Sequence, residues 1–250
     1  MTRHFYFILF IAIILSLNST AQQNWGGGID DEPYHFGFTF QYVSSDFKVL
    51  KKENWRDPFL DPMDQSLVKG FLYNISAPVS PGFGLGLVTD LRVGTHADIR
   101  FTPALVFSDR LVDYHYVADV EDRDPANYTQ RKIQATVIDF PLGIKIKSDR
   151  RKNFRAYLIG GAKYSLDIVS KKKTDDAILI LQEKFLKNNK NIWWYEVGVG
   201  FDLYLEYFKL SPELKLSNSF KSVLKPENNP YSAPIDKLFL RNLQFSLYFE

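Results

Sequence analysis

The chain has 250 residues, with 31 Lys and Arg against 29 Asp and Glu, so its formal net charge is +2 at pH 7. This length suits one or two domains, and 21 Phe, 14 Tyr and 4 Trp are too many aromatic residues for a disordered chain. The near-zero charge gives no electrostatic case for nucleic-acid binding. The absence of cysteine excludes disulfides, thiolate metal sites and a cysteine nucleophile.

The beginning of the chain has the composition of an export signal. Arg3 precedes an apolar run from Phe5 to Leu17, and small residues follow up to Ala21. The run is shorter than the roughly 20 apolar residues of a spanning helix. We expect a signal peptide over residues 1–21, cleaved after Ala21, then a flexible periplasmic tail over 22–33 and one domain over 34–250.

Strands are predicted by apolar residues at every second position. One face of each segment is apolar, and the other carries glycine, polar or charged residues; for residues 154–168 the sequence leaves open which face is which. The pattern covers residues 36–42, 83–87, 99–107, 138–146, 154–168, 193–205, 208–216 and 243–249. These segments predict an all-β fold, an antiparallel transmembrane β-barrel of about eight strands.

The stretch EVGVGFDLYLEYFKLSPELKLS (196–217) predicts one hairpin of this barrel with its register. A tight turn at 206–207 places Gly200 opposite Glu213 and Gly198 opposite Lys215, with the apolar residues on the other face. Small residues would then leave room for long charged ones. A narrow barrel lumen requires such complementarity.

Connector lengths alternate along the chain. The links near residues 93–96, 148–153 and 206–207 are short, whereas those near 48–78, 109–131, 170–191 and 218–237 are long. Short turns at one end and long loops at the other are typical of outer-membrane barrels, whose long loops lie outside the cell. We therefore expect an outer-membrane location, with membrane lipid around the barrel.

A soluble barrel or sandwich, such as a secreted lipid carrier, would show the same alternation with the apolar face inward. Glycine weakens strands, and a solvated face has no need of the glycines at 82, 84, 86, 198 and 200. Aromatic residues near strand ends also suit a membrane girdle. The expected girdle residues are Tyr34, Tyr42, Trp193 and Tyr195.

Three prolines fall inside predicted strands, at Pro103, Pro141 and Pro212. Each removes one hydrogen bond from the strand ladder. We expect bulges or local bends beside them, and a register slip of one residue.

The predicted lumen contains charges of both signs. They are Asp90, Arg100, Asp139, Lys145, Glu196, Asp202, Glu213 and Lys215. Because side chains fill the interior of an eight-stranded barrel and buried ions must be paired, we expect a structural salt-bridge network. A narrow path for protons or ions is the alternative.

Enzyme motifs are missing from the sequence. It contains neither HExxH nor GxSxG, and three histidines follow the signal region: His35, His96 and His115. We expect no catalytic, cofactor or metal site. A lipid-modifying barrel, with a histidine and a serine facing each other across it, stays open as an alternative.

Two predicted loops are candidates for contact with a partner. The first carries Trp55, Phe59, Leu60 and Met63 between prolines. The second, 171–191, predicts an amphipathic helix with Ile178, Leu181, Phe185 and Leu186 on one face. Either loop could instead fold onto the barrel's own rim. Lys171 to Lys173 could equally contact anionic lipopolysaccharide.

Five segments together resemble the PorT family of Bacteroidetes, called SprT in gliding bacteria. They are RFTPALVFSDR (100–110), IDFPLGIK (138–145), YLIGGAKYSLD (157–167), GVGFDLYLEYFKLSPELKLS (198–217) and LQFSLYFE (243–250). The resemblance spans residues 34–250; Ala104 departs from it, standing where many such barrels have glycine. It implies a role in type IX secretion and gliding, with other components of that system as partners, and it supplies no catalytic residues. The alternative is a general small outer-membrane barrel that stabilises the envelope or, like a porin, admits small hydrophobic molecules. Neither function predicts the oligomeric state.

Overall fold

The computed structural model describes residues 32–63, 65–117, 127–168 and 180–250. The predicted signal peptide, residues 22–31 of the predicted tail, Lys171 to Lys173 and Ile178 lie outside these ranges. Nine strands form the main sheet: β1 (Tyr34–Lys51), β3 (Ser80–Arg92), β4 (Ala97–Phe101), β5 (Ala104–Ser108), β8 (Thr136–Lys147), β9 (Phe154–Asp167), β10 (Asn191–Tyr204), β11 (Lys209–Ser219) and β12 (Ile235–Phe249). A second sheet contains β2 (Phe71–Ser76), β6 (Arg110–Val117) and β7 (Asn127–Ile133).

The main sheet closes into a barrel. All its pairings are antiparallel, and β1 pairs with β12 on one side and with β3 on the other. Strands β4 and β5 both lie between β3 and β8, so they are two halves of one barrel strand. The ring therefore has eight strands, which confirms the predicted fold class. Among the described residues, no helix is long and apolar enough to cross a membrane.

The β10–β11 hairpin has the predicted register. Gly200 pairs with Glu213 and Gly198 with Lys215. The turn closes with a hydrogen bond of 2.9 Å from the Leu205 amide to the Phe208 carbonyl. Period-two alternation was sufficient to predict this register, because a shift of one residue would move the apolar side chains to the opposite face of the sheet.

The three prolines do not shift the register, so the expected slip was wrong. The ladder stops briefly at Pro103, between β4 and β5, and resumes in the same register on both neighbouring strands. A proline has no N–H, yet its carbonyl can still accept a hydrogen bond. The amide of Leu87 donates to the Pro103 carbonyl at 2.9 Å, and the amide of Thr102 donates to the Pro141 carbonyl at 3.2 Å. Pro212 pairs in register with Leu247.

The short and long connections lie at opposite ends of the barrel, as predicted. Chain segments 93–96, 148–153 and 205–208 make the short turns, at the end where β1 begins and β12 finishes. Because bacterial outer-membrane barrels have short periplasmic turns, we place this end in the periplasm. The long-connection end is then extracellular.

The long connections are not simple loops, which corrects the sequence prediction. Strands β2, β6 and β7 pair into the second sheet at the extracellular end. Their inner side chains and the strand ends below them form an apolar core, which closes that end. It contains Phe47, Leu72, Ile75, Val112, Tyr114, Tyr116, Ile133, Leu186, Ile192, Trp194, Val223, Leu224, Tyr231, Ile235, Leu238 and Leu240.

The helix predicted within 171–191 does not form over the described part of this segment. Only a three-residue 3-10 turn is present at Leu181–Glu183, and extended backbone follows. The backbone after the turn bonds to another connection: the Asn189 amide donates to the Val223 carbonyl at 2.7 Å, and the Lys225 amide donates to the Lys187 carbonyl at 2.9 Å. These bonds replace helical ones.

The outer wall of the barrel is apolar. Outward side chains on every strand of the ring are exposed, among them Phe38, Phe83, Leu105, Leu142, Leu158, Val197, Leu214 and Phe245. Aromatic groups gather towards both ends: Phe38 stacks on Phe249 at the periplasmic end, and Tyr164 contacts Trp193 at the other. Such a band between aromatic girdles is what a barrel presents to lipid.

Candidate functional site in the barrel lumen

Arg100 stands at the centre of the periplasmic half of the lumen. It lies on β4 opposite Asp90 of β3, and its guanidinium donates two hydrogen bonds of 2.7 Å to that carboxylate. It also reaches Glu213 at 3.2 Å and Glu250 at 2.9 Å. The Tyr248 ring lies 4.4 Å from its guanidinium carbon. One cation thus joins acids from three other strands or strand ends.

Two lysines extend this cluster. Lys145 of β8 bonds to Asp202 of β10 at 2.8 Å and lies 3.8 Å from Asp90. The same Asp202 oxygen accepts from the Ser211 hydroxyl at 2.7 Å. Lys209 forms an ion pair with Glu250, next to the last strand. The periplasmic half of the lumen is therefore cross-linked from wall to wall by ion pairs.

The extracellular half of the lumen has its own lysine centre. Lys163 of β9 lies 3.2 Å from Asp139 and 3.2 Å from Glu196. Serine hydroxyls donate to both acids, from Ser165 to Asp139 and from Ser217 to Glu196, each at 2.6 Å. These bonds compensate the cost of burying carboxylates.

Lys215 connects the two halves. Its ammonium lies 3.0 Å from Glu213 and 3.9 Å from Glu196. All eight charges predicted for the lumen are therefore buried there and belong to one connected network. We call this set, with Lys163, Lys209 and Glu250, the lumen network.

Sequence reasoning missed several buried charges of the lumen. Lys163 was missed because the alternation of buried and exposed residues is interrupted in β9, where Gly160, Gly161 and Ala162 are all exposed. Lys147 pairs with Asp98 at 2.6 Å near the periplasmic rim. Glu250 could have been found by continuing the alternation of β12, in which Tyr248 points inward and Phe249 outward.

The glycine at 200 makes room for a different side chain from the one predicted. A Cβ there would lie 2.4 Å from the ring and hydroxyl of Tyr157, its register partner on β9. The Tyr157 hydroxyl then donates to Glu213 at 3.0 Å. The glycine thus accommodates a tyrosine that holds the carboxylate.

Very little space remains inside the lumen. The cavity bordered by Arg100, Thr102, Ile159, Glu196 and Lys215 has a volume of about 10 Å³. This is about the minimum that one water molecule requires. Side chains fill the centre of the barrel, and the apolar core covers its extracellular end.

A comparison with protein families places this architecture. Residues 22–225 match the outer membrane protein beta-barrel domain. The chain belongs to that family. Its location is accordingly the outer membrane. No curated protein matches the chain.

Solved outer-membrane barrels are similar to this family member only distantly. OprG of Pseudomonas aeruginosa is 14% identical, with a TM-score of 0.41, over 86% of this chain and 92% of its own. Ail of Yersinia pestis, solved with the heparin analogue sucrose octasulfate, is 8% identical with a TM-score of 0.35, over 86% and 96%. The outer membrane protease OmpT of Escherichia coli is 10% identical with a TM-score of 0.35, over 94% and 98%.

The histidines of this outer-membrane barrel are well separated. His35 is buried on the inner face of β1, and His115 on β6 lies 5.3 Å from the Tyr128 ring. His96 sits in an exposed periplasmic turn, where it bonds to Thr95 and to Asp149 at 2.8 and 2.9 Å. Among the described residues, no cluster of three or more acids and histidines could hold a metal.

The first candidate partner loop forms a small extracellular hairpin over the described residues 59–63 and 65–68, which we call the tip hairpin. Leu60 and Leu67 form a bridge, and the Val68 amide donates to the Phe59 carbonyl at 3.1 Å. Leu60 and Leu67 are exposed, and Met63 is 96% exposed. Apolar side chains at such a tip are available for contact.

The other predicted loop residues are closer to the barrel. Trp55 packs against the apolar core, with the Lys51 ammonium 4.1 Å from its ring. Leu181 and Phe185 are half-buried, and Leu186, on the same predicted face, is part of the core. The segment from Leu181 onwards thus packs on the barrel's own rim, whereas Leu60, Met63 and Leu67 of the tip hairpin are exposed.

Proposed function

We propose that this outer-membrane barrel serves type IX protein secretion, and gliding where the cell glides, as an accessory component that acts through protein contacts and not by catalysis. The filled lumen carries the contact part of the proposal. A cavity of about 10 Å³ cannot pass a protein, so any work on cargo must be done by surfaces outside the barrel. The five segments that resemble PorT support the choice of secretion system.

The tip hairpin is the surface we assign to the partner. Solvent-exposed apolar side chains at a loop tip are unfavourable unless another protein covers them. Leu60, Met63 and Leu67 are all exposed, while Trp55 at the base is held by the core. A fixed base with an apolar tip suits docking onto a neighbouring envelope protein.

Deletion of the gene in the source bacterium tests the secretion role. We expect type IX cargo to accumulate in the periplasm and to return to the medium when the intact gene is restored, measured by mass spectrometry of both fractions. Normal cargo export would overturn the proposal. Leakage of periplasmic protein with normal export would instead assign the chain to general envelope stability.

Variants of the tip hairpin test the contact surface. Complementation with Leu60→Ser, Met63→Ser and Leu67→Ser combined should leave the barrel in the outer membrane but fail to restore export. A matched control replaces three exposed apolar residues elsewhere, Tyr73→Ser, Val79→Ser and Tyr207→Ser. Equal complementation by both triple variants would remove the tip hairpin from the proposal.

A further inference from the structure

A groove of about 690 Å³ opens on the outer wall of the barrel at its extracellular end. It lies where β10 begins and β11 finishes. Its lower part is formed by Trp193 and Phe220, and its upper part includes Lys190 and Lys221. The groove is separate from the lumen network, since the side chain of Trp193 points outward and that of Trp194 inward.

The lower part of the groove is an aromatic surface in the lipid-facing wall. Trp193 and Phe220 are 59% and 56% exposed. Their backbones are joined by a hydrogen bond of 2.9 Å, from the Phe220 amide to the Trp193 carbonyl. The neighbouring Tyr164 and Tyr195 rings lie 4.9 Å from Trp193 and 5.3 Å from Phe220. Such amphipathic rings sit at the level where acyl chains meet headgroups.

The upper part of the groove carries positive charge without acidic partners. Within the described parts of the chain, no carboxylate lies within ion-pair distance of Lys190 or Lys221, and both are exposed. The lysines beside them differ. Lys187 and Lys225 pair with Glu227 at 3.2 and 3.5 Å. Among the described residues that line the groove, Lys190 and Lys221 therefore have no acidic partner and can attract an external anion.

We propose that this groove binds a phosphorylated lipid of the outer leaflet. Its phosphate lies between Lys190 and Lys221, and one acyl chain lies along Trp193 and Phe220. Charge complementarity supports this occupant, because a cation pair directly above an aromatic lipid-facing floor matches an anionic headgroup above a hydrocarbon chain. A protein partner would have to enter the bilayer to reach the same floor.

The test uses the full-length barrel in detergent, titrated with monophosphorylated lipid A and with the same lipid after removal of its phosphate. Binding is measured by native mass spectrometry. We expect the phosphorylated lipid to bind roughly tenfold more tightly, since two interfacial lysines each contribute on the order of a few-fold or more. Equal affinity for the two lipids would overturn the proposal.

Two variants assign the contacts. Lys190→Gln with Lys221→Gln should abolish the preference for the phosphorylated lipid. Trp193→Ala should instead lower the affinity for both lipids to the same extent. The matched control, Lys48→Gln with Lys52→Gln, removes two exposed extracellular-end cations outside the groove and should bind like the wild type. Resistance to SDS without heating verifies that each variant is folded. Full phosphate preference in the groove double variant would contradict the proposal.

Discussion

Asp90 and Arg100 face each other directly across the β3–β4 pair and are joined by two hydrogen bonds of 2.7 Å. The two side chains are 0% and 1% exposed. A bidentate pair is the strongest form of Arg and carboxylate contact, and here it lies inside a filled lumen. A substitution that removes one partner leaves the other charged and buried. The stability lost in this way is larger than the net stability that the intact pair adds relative to a pair of apolar residues.

The first prediction concerns this pair. Asp90→Asn should destabilise the barrel by about 1.5–3 kcal/mol, because Arg100 loses its bidentate carboxylate but keeps Glu213 and Glu250. The measurement is urea unfolding in liposomes followed by tryptophan fluorescence. Asp46→Asn is the control, since Asp46 pairs with a half-exposed Arg241 and should cost about 0–1 kcal/mol. Equal losses in the two variants would show that burial does not decide the effect.

The second prediction concerns the seam between the first and last strands. A Cβ on Gly37 would lie 1.9 Å from the backbone oxygen of Phe249, so the strands must move apart to admit it. Gly37→Ala should lower the free energy of unfolding by up to about 3 kcal/mol, which is the upper end of the usual effect of overpacking. The loss is large because the clash is with backbone, which cannot rotate away as a side chain can. Gly94→Ala is the control, with nothing within 4 Å of its added Cβ. Folding yield, read as the heat-sensitive shift on SDS gels, should fall only for Gly37→Ala.

The third prediction concerns the extracellular sheet. The fully buried Tyr114 donates a hydrogen bond of 2.8 Å to the Tyr231 carbonyl, and burial raises the pKa of Tyr114 well above its usual value. Tyr114→Phe leaves that carbonyl without this donor and should cost about 1–3 kcal/mol.

Limited proteolysis of the extracellular end measures this effect. Cleavage should be faster in Tyr114→Phe than in Tyr128→Phe, whose hydroxyl bonds to Asp113 at the surface. Identical cleavage rates would mean that the hydroxyl of Tyr114 does not stabilise the sheet.

The fourth prediction concerns pH. At the periplasmic end, the hydrogen bond from His96 lowers the pKa of Asp149, and the charge of His96 adds to this. Because this pKa is lower in the folded state, the contact stabilises the fold at pH values above the ordinary pKa of a carboxyl group. The stabilisation is lost as the pH falls through the pKa of Asp149 in the folded protein. His96→Gln should raise the pKa of Asp149, as measured by carbon NMR of its carboxyl group. His115→Gln, at the other end, should not change it; a shift there, or none with His96→Gln, would contradict the assignment.

The β10–β11 register could be predicted from the sequence because the two strands are joined by a two-residue turn, so their pairing depends only on residues close together in the chain. Once the apolar face of each strand is assigned, only one register brings Gly200 to Glu213 and keeps both faces consistent. The same reasoning places the charges in the lumen. It does not depend on distant parts of the chain, so period-two alternation and connector lengths were sufficient.

Only the tertiary structure showed which side chains fill each space in the barrel lumen. Tyr157 occupies the room left by Gly200, and Glu250 reaches Arg100, a residue 150 positions away. These contacts arise when the sheet closes, because closure brings side chains of non-neighbouring strands into one narrow lumen. Period-two alternation assigns a side chain to a face, but it says nothing about its partner across the barrel.

The extracellular sheet illustrates the same division. Residues 110–117 alternate, but their pairing with Phe71–Ser76 depends on a contact that the closed barrel makes possible. Sequence by itself therefore determined the number of strands in the barrel ring, the two faces of most of them and the location in the outer membrane. The closed ring decided the partners of the buried charges and the fold of the long connections, because both depend on contacts between residues far apart in the chain.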